Sequence, residues 1–286
     1  MRIASACIAC GSDALEREPA ILMPFVAHRV FGWTPVEITP EWGLRTVPTG
    51  HAYPLCNSVE CQACGAVFLD MRFDEAEMDL LYGGYRGPDY ANDRERFEPG
   101  YLAHNAQILV RSGGTEEQET FLAGHVPERP RVLDWGGDDG AHTPFRGKSS
   151  ALHVFDVSGQ AVVEGARAVG RPEISAGAYD LIVLSHVLEH IPYPAELLAD
   201  VRSALGEKTV LYVEVPHEPL VAGARGERGL AGRKKHWHEH VNFFTEESLR
   251  ALLDRAGLQI VDFEIRSRWS HASFSEVLAF ACRRAS

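Results

Sequence analysis

The segment RVLDWGGDDG most constrains the fold of this chain. A short apolar run ends in Asp134 and passes directly into a turn that contains Gly136, Gly137 and Gly140. Glycines in such a turn allow positive φ and let a ligand approach the backbone closely. A second apolar run ends in Asp156, 22 positions after Asp134. That spacing suits a carboxylate that accepts hydrogen bonds from both ribose hydroxyls of an adenosine ligand.

Apolar runs and helical patterns alternate after this turn. The runs predict strands over 131–134, 152–156, 179–185 and 209–216, and the helical patterns cover 194–206 and 246–257. Two late strands, LQIVDFEIR and EVLAFACRR, have no helical pattern between them. This alternation predicts an α/β fold with a doubly wound, Rossmann-like sheet, and the late pair predicts an antiparallel edge strand.

Three regions are expected along the chain. Residues 1–72 are rich in proline, glycine and aromatic residues, and their hydrophobic periodicity is weak. A small module there needs a cross-link, such as a bound metal, to be stable. Residues 129–286 carry the predicted sheet. Residues 73–128 are predicted to form a helical linker or cap, with helices over 74–85, 101–110 and 117–124.

Four of the six cysteines form two Cys-x-x-Cys pairs, Cys7 with Cys10 and Cys61 with Cys64, each followed by glycine. Two such pairs predict a tetrahedral zinc site of four thiolates. Four protein ligands leave no open position on the metal, so the expected role of the zinc is structural. The alternatives are free buried cysteines and a redox pair, although no thioredoxin-like pattern surrounds either pair. Cys56 has no partner at this spacing.

Composition limits the partners and the compartment. The formal net charge of -12 is expected to repel polyphosphate backbones, so nucleic acid is not the expected partner. No apolar run reaches the roughly 18 residues that suggest a membrane span. The first residues, MRIASACIACG, lack the apolar core of a signal peptide. We therefore expect a cytoplasmic protein with reduced cysteines.

The charge of the glycine turn indicates which adenosine ligand it binds. Asp134, Asp138 and Asp139 would repel the pyrophosphate of a dinucleotide, but they can accept hydrogen bonds from the amino group of a cationic sulfonium amino acid. This favours S-adenosylmethionine over a nicotinamide cofactor, and a surface turn without a ligand is the alternative. The expected cofactor-binding residues are Asp134, Gly136, Gly137, Asp139, Gly140, Asp156 and Ser185.

Residues 131–266 resemble the class I S-adenosylmethionine-dependent methyltransferases. VLDWGGDDG is similar to their first motif, FDVS to the end of their ribose-binding strand, and YDLIVLSHVLEHIPYP to their fourth-strand motif. HEHVNFFTEESLRALLDRAGLQIV is similar to the segment before their sixth strand, whereas Asp138 stands where they often have glycine. The resemblance implies methyl transfer to an acceptor.

The cysteine pairs narrow this resemblance. CIACG, YPLCNSVECQACGAVFLD and LYGGY are similar to the zinc-containing sugar C-methyltransferases, which act on nucleotide-linked deoxysugars. The resemblance implies a small-molecule substrate, a sugar or nucleotide-linked sugar in polysaccharide or natural-product biosynthesis. Two departures are an expanded segment between the cysteine pairs, containing MPFVAHRVFGW, and a chain that ends with the catalytic fold, without the C-terminal domain of that family.

The acceptor side of the site is expected at the carboxyl ends of the strands, where ligands bind in open α/β sheets. His190 and the pair Glu239-His240 are predicted to converge there, with one imidazole acting as base, because histidine titrates near neutral pH. The tyrosines of LYGGY match aromatic positions of the sugar methyltransferases. The expected substrate-binding residues are Tyr82, Tyr85, His186, His217 and Trp237.

Several alternatives stay open. The alternating His236, His238 and His240 could ligate a second metal, although a solvated loop with one or two of them in the pocket is favoured. A basic stretch could hold a phosphate or form a solvated loop: Arg225, Arg228, Arg233, Lys234 and Lys235. The competing functions are an RNA or protein methyltransferase that uses the zinc module for recognition, and a binding protein without turnover. Neither the acceptor atom nor the oligomeric state follows from the sequence.

Overall fold

The computed structural model describes residues 1–85, 87–110, 115–224, 226–270 and 273–285. The α-helices are α1 (Pro24–Phe31), α2 (Glu75–Tyr82), α3 (Pro88–Phe97), α4 (Tyr101–Val110), α5 (Glu116–Leu122), α6 (Pro194–Ala204), α7 (Pro219–Ala222), α8 (Leu230–Arg233) and α9 (Glu246–Arg255). The strands are β1 (Arg2–Ile3), β2 (Leu15–Leu22), β3 (Val36–Ile38), β4 (Gly50–Ala52), β5 (Leu55–Cys61), β6 (Val67–Leu69), β7 (Met71–Arg72), β8 (Arg131–Trp135), β9 (Ala151–Phe155), β10 (Ala166–Ala168), β11 (Leu181–Ser185), β12 (Val210–Pro216), β13 (His236–Trp237), β14 (Asn242–Phe243), β15 (Leu258–Ser270) and β16 (Ser273–Arg284).

Seven strands form the main sheet, in the order β10-β9-β8-β11-β12-β16-β15. Strands β8 to β12 run parallel, and β16 runs antiparallel to both β12 and β15. The continuous apolar run of β11 is buried on both faces, as the interior strand of a doubly wound sheet requires. The predicted α/β fold with an antiparallel edge is therefore confirmed. The strand order reverses beside β8, which places a ligand crevice at the carboxyl ends of β8 and β11.

The first half of this sheet lacks the crossover helices that usually connect the parallel strands of a doubly wound fold. Residues 136–193, which are described throughout, contain turns, strands and a 3-10 helix at Arg171–Glu173 but no α-helix. One sheet face instead packs against α5 through Leu122 and against Phe145 from the turn-rich segment. The glycine turn is therefore not followed by a helix whose positive N-terminal end would attract an anion.

A second sheet joins distant parts of the chain, in the order β13-β2-β5-β6-β14. Its central strands come from the N-terminal region, whereas β13 and β14 come from the segment between β12 and α9. Trp237 pairs with Leu22, and Asn242 pairs with Phe68. The division into three regions stays a prediction, but the N-terminal sheet is not built from residues 1–72 alone.

Helix α9 connects the cysteine-rich region to the main sheet. Thr245 caps α9 by accepting from the Ser248 amide, and its hydroxyl donates to the backbone oxygen of Cys64 at 3.0 Å. At the other end, Arg255 donates to the backbone oxygen of Ala9 at 3.2 Å. The apolar side of α9, including Leu252, packs into the core beneath the sheet.

The region between the two sheets is helical. Asp74 caps α2 with a capping box, as the sequence predicted, but α2 ends at Tyr82 rather than continuing to residue 85. Helices α4 and α5 lie close to their predicted positions, whereas α3 was not predicted. No helix within the described residues is long and apolar enough to cross a bilayer.

Candidate active site

A cavity of ≈ 1760 Å³ lies at the carboxyl ends of β8, β9, β11 and β12. Its lining includes Asp134, Gly136, Gly137, Asp138, Asp156, Ser185, His186, Glu189, His190, Glu239, His240, Tyr82 and Tyr85. The expected site residues Asp139, Gly140, His217 and Trp237 belong to the described chain but not to this lining. The cavity thus combines the glycine turn with the histidines that follow β11 and β13.

The glycine turn has no space for side chains at two positions. A Cβ atom on Gly136, whose φ is 83°, would lie 2.8 Å from Cγ2 of Val187. A Cβ atom on Gly137 would lie 2.3 Å from Cγ of Asp134. The turn therefore packs closely against Val187 and Asp134, and both glycines also line the cavity. The amide of Gly140 closes the turn on the carbonyl of Gly137 at 2.8 Å.

Asp134 is a buried carboxyl group at the end of β8. Thr143 donates a hydrogen bond to its Oδ2 at 2.5 Å. Burial raises the pKa of Asp134 to about 7, with the hydrogen bond from Thr143 opposing the shift and the nearby Asp156 adding to it. The group therefore changes charge near neutral pH.

Asp156, at the end of β9, faces the glycine turn. Its Oδ2 accepts from the amide of Asp138 at 2.9 Å, and its Oδ1 accepts from the amide of Ser158 at 2.8 Å. Each oxygen keeps a second lone pair for a ligand hydroxyl. Asp139 is occupied inside the turn, where its Oδ1 accepts from the amide of Ala141.

His186 bridges two buried carboxylates behind β11. Its Nδ1 lies 3.3 Å from Oε1 of Glu189, and its Nε2 lies 3.4 Å from Oε1 of Glu214. Burial opposes protonation of the ring, but the two carboxylates outweigh it and raise the pKa of His186 to about 10. Ser185 and Tyr212 also donate to Glu214, so that carboxylate is well hydrogen-bonded. The protonated ring carries a positive charge into this side of the cavity.

The structure brings His190 and His240 together, with ring centroids 4.6 Å apart. Nδ1 of His190 lies 2.8 Å from the hydroxyl of Tyr82 and 3.1 Å from the backbone oxygen of Glu239. Nδ1 of His240 lies 2.6 Å from Oε1 of Glu218. Burial lowers the pKa of His190 to about 4, so its ring is neutral at ordinary pH.

The carboxylate of Glu239 has other partners. It accepts from the hydroxyl of Tyr90 and from Arg94, and it lies 3.4 Å from Nδ1 of His238. Burial opposes ionisation, but His238, Arg94 and Tyr90 hold the pKa of Glu239 at about 2. Glu239 therefore anchors α3 to the site, and the carboxylate beside His240 is that of Glu218.

The four paired cysteines form one cluster, with their sulfurs within 4.8 Å of one another. Sγ of Cys7 lies 3.6 Å from Sγ of Cys64, and Cys10 and Cys61 are the same distance apart. In both pairs the glycine amide after the second cysteine donates to the carbonyl of the first. A hydrogen bond from the Cys64 thiol lowers the pKa of Cys7.

Known families give the context for this geometry. The methyltransferase domain family matches residues 111–262, more than half of the chain. The chain belongs to this family. The methyltransferase interpretation made from the sequence is therefore confirmed. No curated protein matches the methyltransferase.

The methyltransferase is similar to several solved structures. One is the 1,6-didemethyltoxoflavin N1-methyltransferase of Burkholderia thailandensis, with bound 1,6-didemethyltoxoflavin and S-adenosylhomocysteine. The two sequences are 16% identical, the match covers 78% of this chain and 96% of that chain, and the TM-score is 0.49. A second is an S-adenosylmethionine-dependent methyltransferase of Clostridium acetobutylicum, which is 14% identical to this chain. The match covers 65% of this chain and 98% of that chain, with a TM-score of 0.45. A third is an S-adenosylmethionine-dependent methyltransferase from Methanosarcina mazei, which is 14% identical to this chain. The match covers 58% of this chain and 97% of that chain, with a TM-score of 0.44.

Two expected substrate contacts of the methyltransferase lie elsewhere. Trp237 is fully buried and donates from Nε1 to the hydroxyl of Ser58, because the pairing of β13 with β2 turns its side chain into the core. His217 lies 3.2 Å from Glu276. The structure does not bring the three alternating histidines together as a group of metal ligands. Strand β13 ends at Trp237, so the regular alternation of side chains between the two faces stops there. His236 is exposed, and His238 contacts Glu98.

The basic stretch of the methyltransferase has mostly internal partners. Arg228 donates to the backbone oxygen of Cys61, and Arg233 lies 3.6 Å from Glu227. Lys234 lies over the ring of Trp237. None of Arg228, Arg233, Lys234 and Lys235 lines the cavity, and Arg225 lies outside the described residues.

Sequence reasoning missed three carboxylates of the methyltransferase site. Glu214 carried a usable signal, since it is an acidic residue inside the apolar run TVLYVEVP. Glu189 lies between two expected site histidines in the sequence. Glu218 lies shortly after the end of β12, but nothing in the sequence spacing connects it to His240.

Proposed function

We propose that this methyltransferase transfers the methyl group of S-adenosylmethionine to a small molecule, a sugar or nucleotide-linked sugar in polysaccharide or natural-product biosynthesis. One observation carries the proposal: a continuous cavity with two chemically different sides. The glycine turn and its carboxylates form one side, and the histidines form the other. Its volume of ≈ 1760 Å³ exceeds the roughly 300–1,000 Å³ of most ligand pockets, which leaves room for an acceptor beside a cofactor.

The cofactor side fits an adenosine ligand that carries a cationic amino acid. Asp156 has lone pairs for the ribose hydroxyls, and Asp134 can accept from the ammonium group. The turn is backbone-lined, and no α-helix begins there to favour a pyrophosphate. When bound, S-adenosylmethionine supplies an electrophilic methyl group on a sulfonium.

The acceptor side must accept a proton as the acceptor is methylated. We assign this role to one of the two facing imidazoles, His190 or His240. Glu218 orients the ring of His240 through Nδ1, and Glu239 orients His190 through its backbone oxygen. Each ring then keeps Nε2 for the acceptor.

Aromatic side chains support a sugar as the acceptor. Tyr82 and Tyr85 line the cavity with ring centroids 5.6 Å apart. They lie in LYGGY, which is similar to the sugar C-methyltransferases. An aromatic wall beside hydrogen-bonding groups suits a ring that has apolar faces and polar edges.

We also propose that the cysteine cluster holds one structural zinc ion. Zinc–sulfur bonds of 2.3 Å in a tetrahedron place the sulfurs about 3.8 Å apart, close to the 3.6 Å separations here. Cys7, Cys61 and Cys64 are buried, and α9 covers their backbone through Thr245 and Arg255. This placement favours a structural role for the module rather than recognition of RNA or protein.

Labelling tests the proposal. The purified protein is incubated with methyl-labelled S-adenosylmethionine and, separately, with nucleotide-linked sugars, free sugars, tRNA and a protein extract. We expect label in a nucleotide-linked or free sugar, and much less label at low cofactor concentration with Asp156→Ala as the matched control. Label confined to tRNA or protein would overturn the substrate class, and absence of label from every acceptor would overturn methyl transfer to the tested classes.

A further inference from the structure

Three electron-pair donors face one another on the acceptor side of the cavity: Glu189, His190 and His240. One ligand atom from each lies within 4.8 Å of those from the other two. Nε2 of His190 is 4.0 Å from Oε1 of Glu189. This group is separate from the four cysteines, and of the alternating histidines it includes only His240.

The outer partners of both rings determine where their hydrogens lie. Nδ1 of His190 is 3.1 Å from the backbone oxygen of Glu239, which can only accept, and 2.8 Å from the hydroxyl of Tyr82, which can accept or donate. A hydrogen on Nδ1 satisfies both partners and leaves the lone pair on Nε2. The carboxylate of Glu218 has the same effect on His240. A carbonyl or carboxylate on the second ring nitrogen is the usual arrangement around histidines that bind a metal.

Glu189 is a buried carboxylate with unmet hydrogen-bonding capacity. Its side chain is 1% exposed, and no described residue makes a well-formed hydrogen bond to either oxygen. Nδ1 of His186 lies 3.3 Å from Oε1, and the other nitrogen of that ring faces Glu214, so Oε2 of Glu189 has no partner among the described residues. Buried charges are normally paired, hydrogen-bonded or coordinated to a metal.

We propose that Glu189, His190 and His240 bind a first-row divalent cation. Two imidazoles and one carboxylate suit zinc, iron, cobalt or nickel, and three protein ligands leave positions open toward the cavity. Bonds of about 2.1 Å in a tetrahedral site need ligand atoms about 3.4 Å apart, so the three side chains close on the ion by small rotations. The carboxylate of Glu214 offsets the positive charge of His186 nearby.

The consequence for catalysis rests on the proposed function. A bound cation occupies the Nε2 lone pairs of His190 and His240, which the proposed function assigns to the proton of the acceptor. Cation binding and proton acceptance therefore exclude each other. We expect the cation to inhibit methyl transfer reversibly.

Cobalt titration tests the site without any acceptor. Co²⁺ is added to protein whose cysteine cluster is already loaded with zinc, and binding is followed by calorimetry and visible absorption. We expect one further Co²⁺ per chain, with the spectrum of nitrogen and oxygen ligands and without the intense charge-transfer band of a thiolate site. Because neither cofactor nor acceptor is present, this result is independent of the labelling assay.

Matched variants locate the ion. Glu189→Gln and His240→Ala should lose the added cobalt, and Glu218→Gln should weaken its binding by about 10–100-fold, as loss of an outer partner does. His236→Ala removes an exposed histidine and should bind like the wild type. No cobalt beyond the cysteine cluster, or unchanged binding in folded Glu189→Gln and His240→Ala, would overturn the proposal.

Discussion

Lowering the pH from 8 to 6 is expected to weaken binding of S-adenosylhomocysteine about tenfold. In the free protein, burial raises the pKa of Asp134 to about 7. The ammonium group of the ligand favours the ionised carboxylate, so below this pKa a proton must leave before the ligand binds. The ionised fraction falls from about nine tenths at pH 8 to about one tenth at pH 6, which corresponds to about 1.4 kcal/mol. Affinity should therefore rise with pH and level off above about 7.

Calorimetry across this pH range, in buffers of different ionisation enthalpy, measures both the affinity and the released proton. Asp134→Asn should bind weakly with a flat pH profile. Thr143→Val should move the midpoint to higher pH, because the hydroxyl of Thr143 lowers the pKa of Asp134 by hydrogen-bonding to its carboxylate. A wild-type profile as flat as that of Asp134→Asn, or a midpoint that moves down in Thr143→Val, would refute the reasoning.

Other parts of the molecule give further predictions. Metal analysis of protein purified without chelators should find at least one zinc per chain, bound by the cysteines. Cys61→Ser should lose this zinc and Cys56→Ser should keep it, and a metal-free wild type would contradict the cluster assignment. Asp156→Ala should cost about 1.5–3 kcal/mol of S-adenosylhomocysteine affinity by calorimetry, and an unchanged affinity would mean that the ribose binds elsewhere. His190→Ala and His240→Ala should be compared in the labelling assay, where loss of the base lowers the rate by about 10²–10⁴ with cofactor binding intact. Normal turnover in both would show that neither ring is the base.

The parts of the candidate site whose location in the fold could be predicted from the sequence lie at the ends of apolar strands. Asp134, Asp156 and Ser185 each end a run that reads as a buried strand, and the carboxyl ends of parallel strands meet at one edge of a sheet. The two cysteine pairs were equally accessible to prediction, because each pair is a local turn closed by a glycine. Local pattern and a general rule of topology were sufficient for these positions.

The parts that escaped prediction depend on contacts between distant residues. Strand β13 has only two residues, too few for a periodic signal, so nothing in the sequence shows that Trp237 pairs with Leu22 and turns inward. Glu239 was predicted to act with His240 in the site, but its carboxylate accepts from Tyr90 and Arg94, and Glu218 lies at the His240 ring instead.

The shared five-stranded sheet determines how this chain can be divided. A fragment starting at residue 129 would keep β13 and β14 without the strands they pair with, exposing the ring of Trp237 and unpaired backbone groups that invite aggregation. An N-terminal fragment would lose both flanking strands in the same cut. Recombination between related genes must therefore transfer the cysteine region and residues 236–243 together, although strands β8 to β12 of the main sheet lie between them in the sequence.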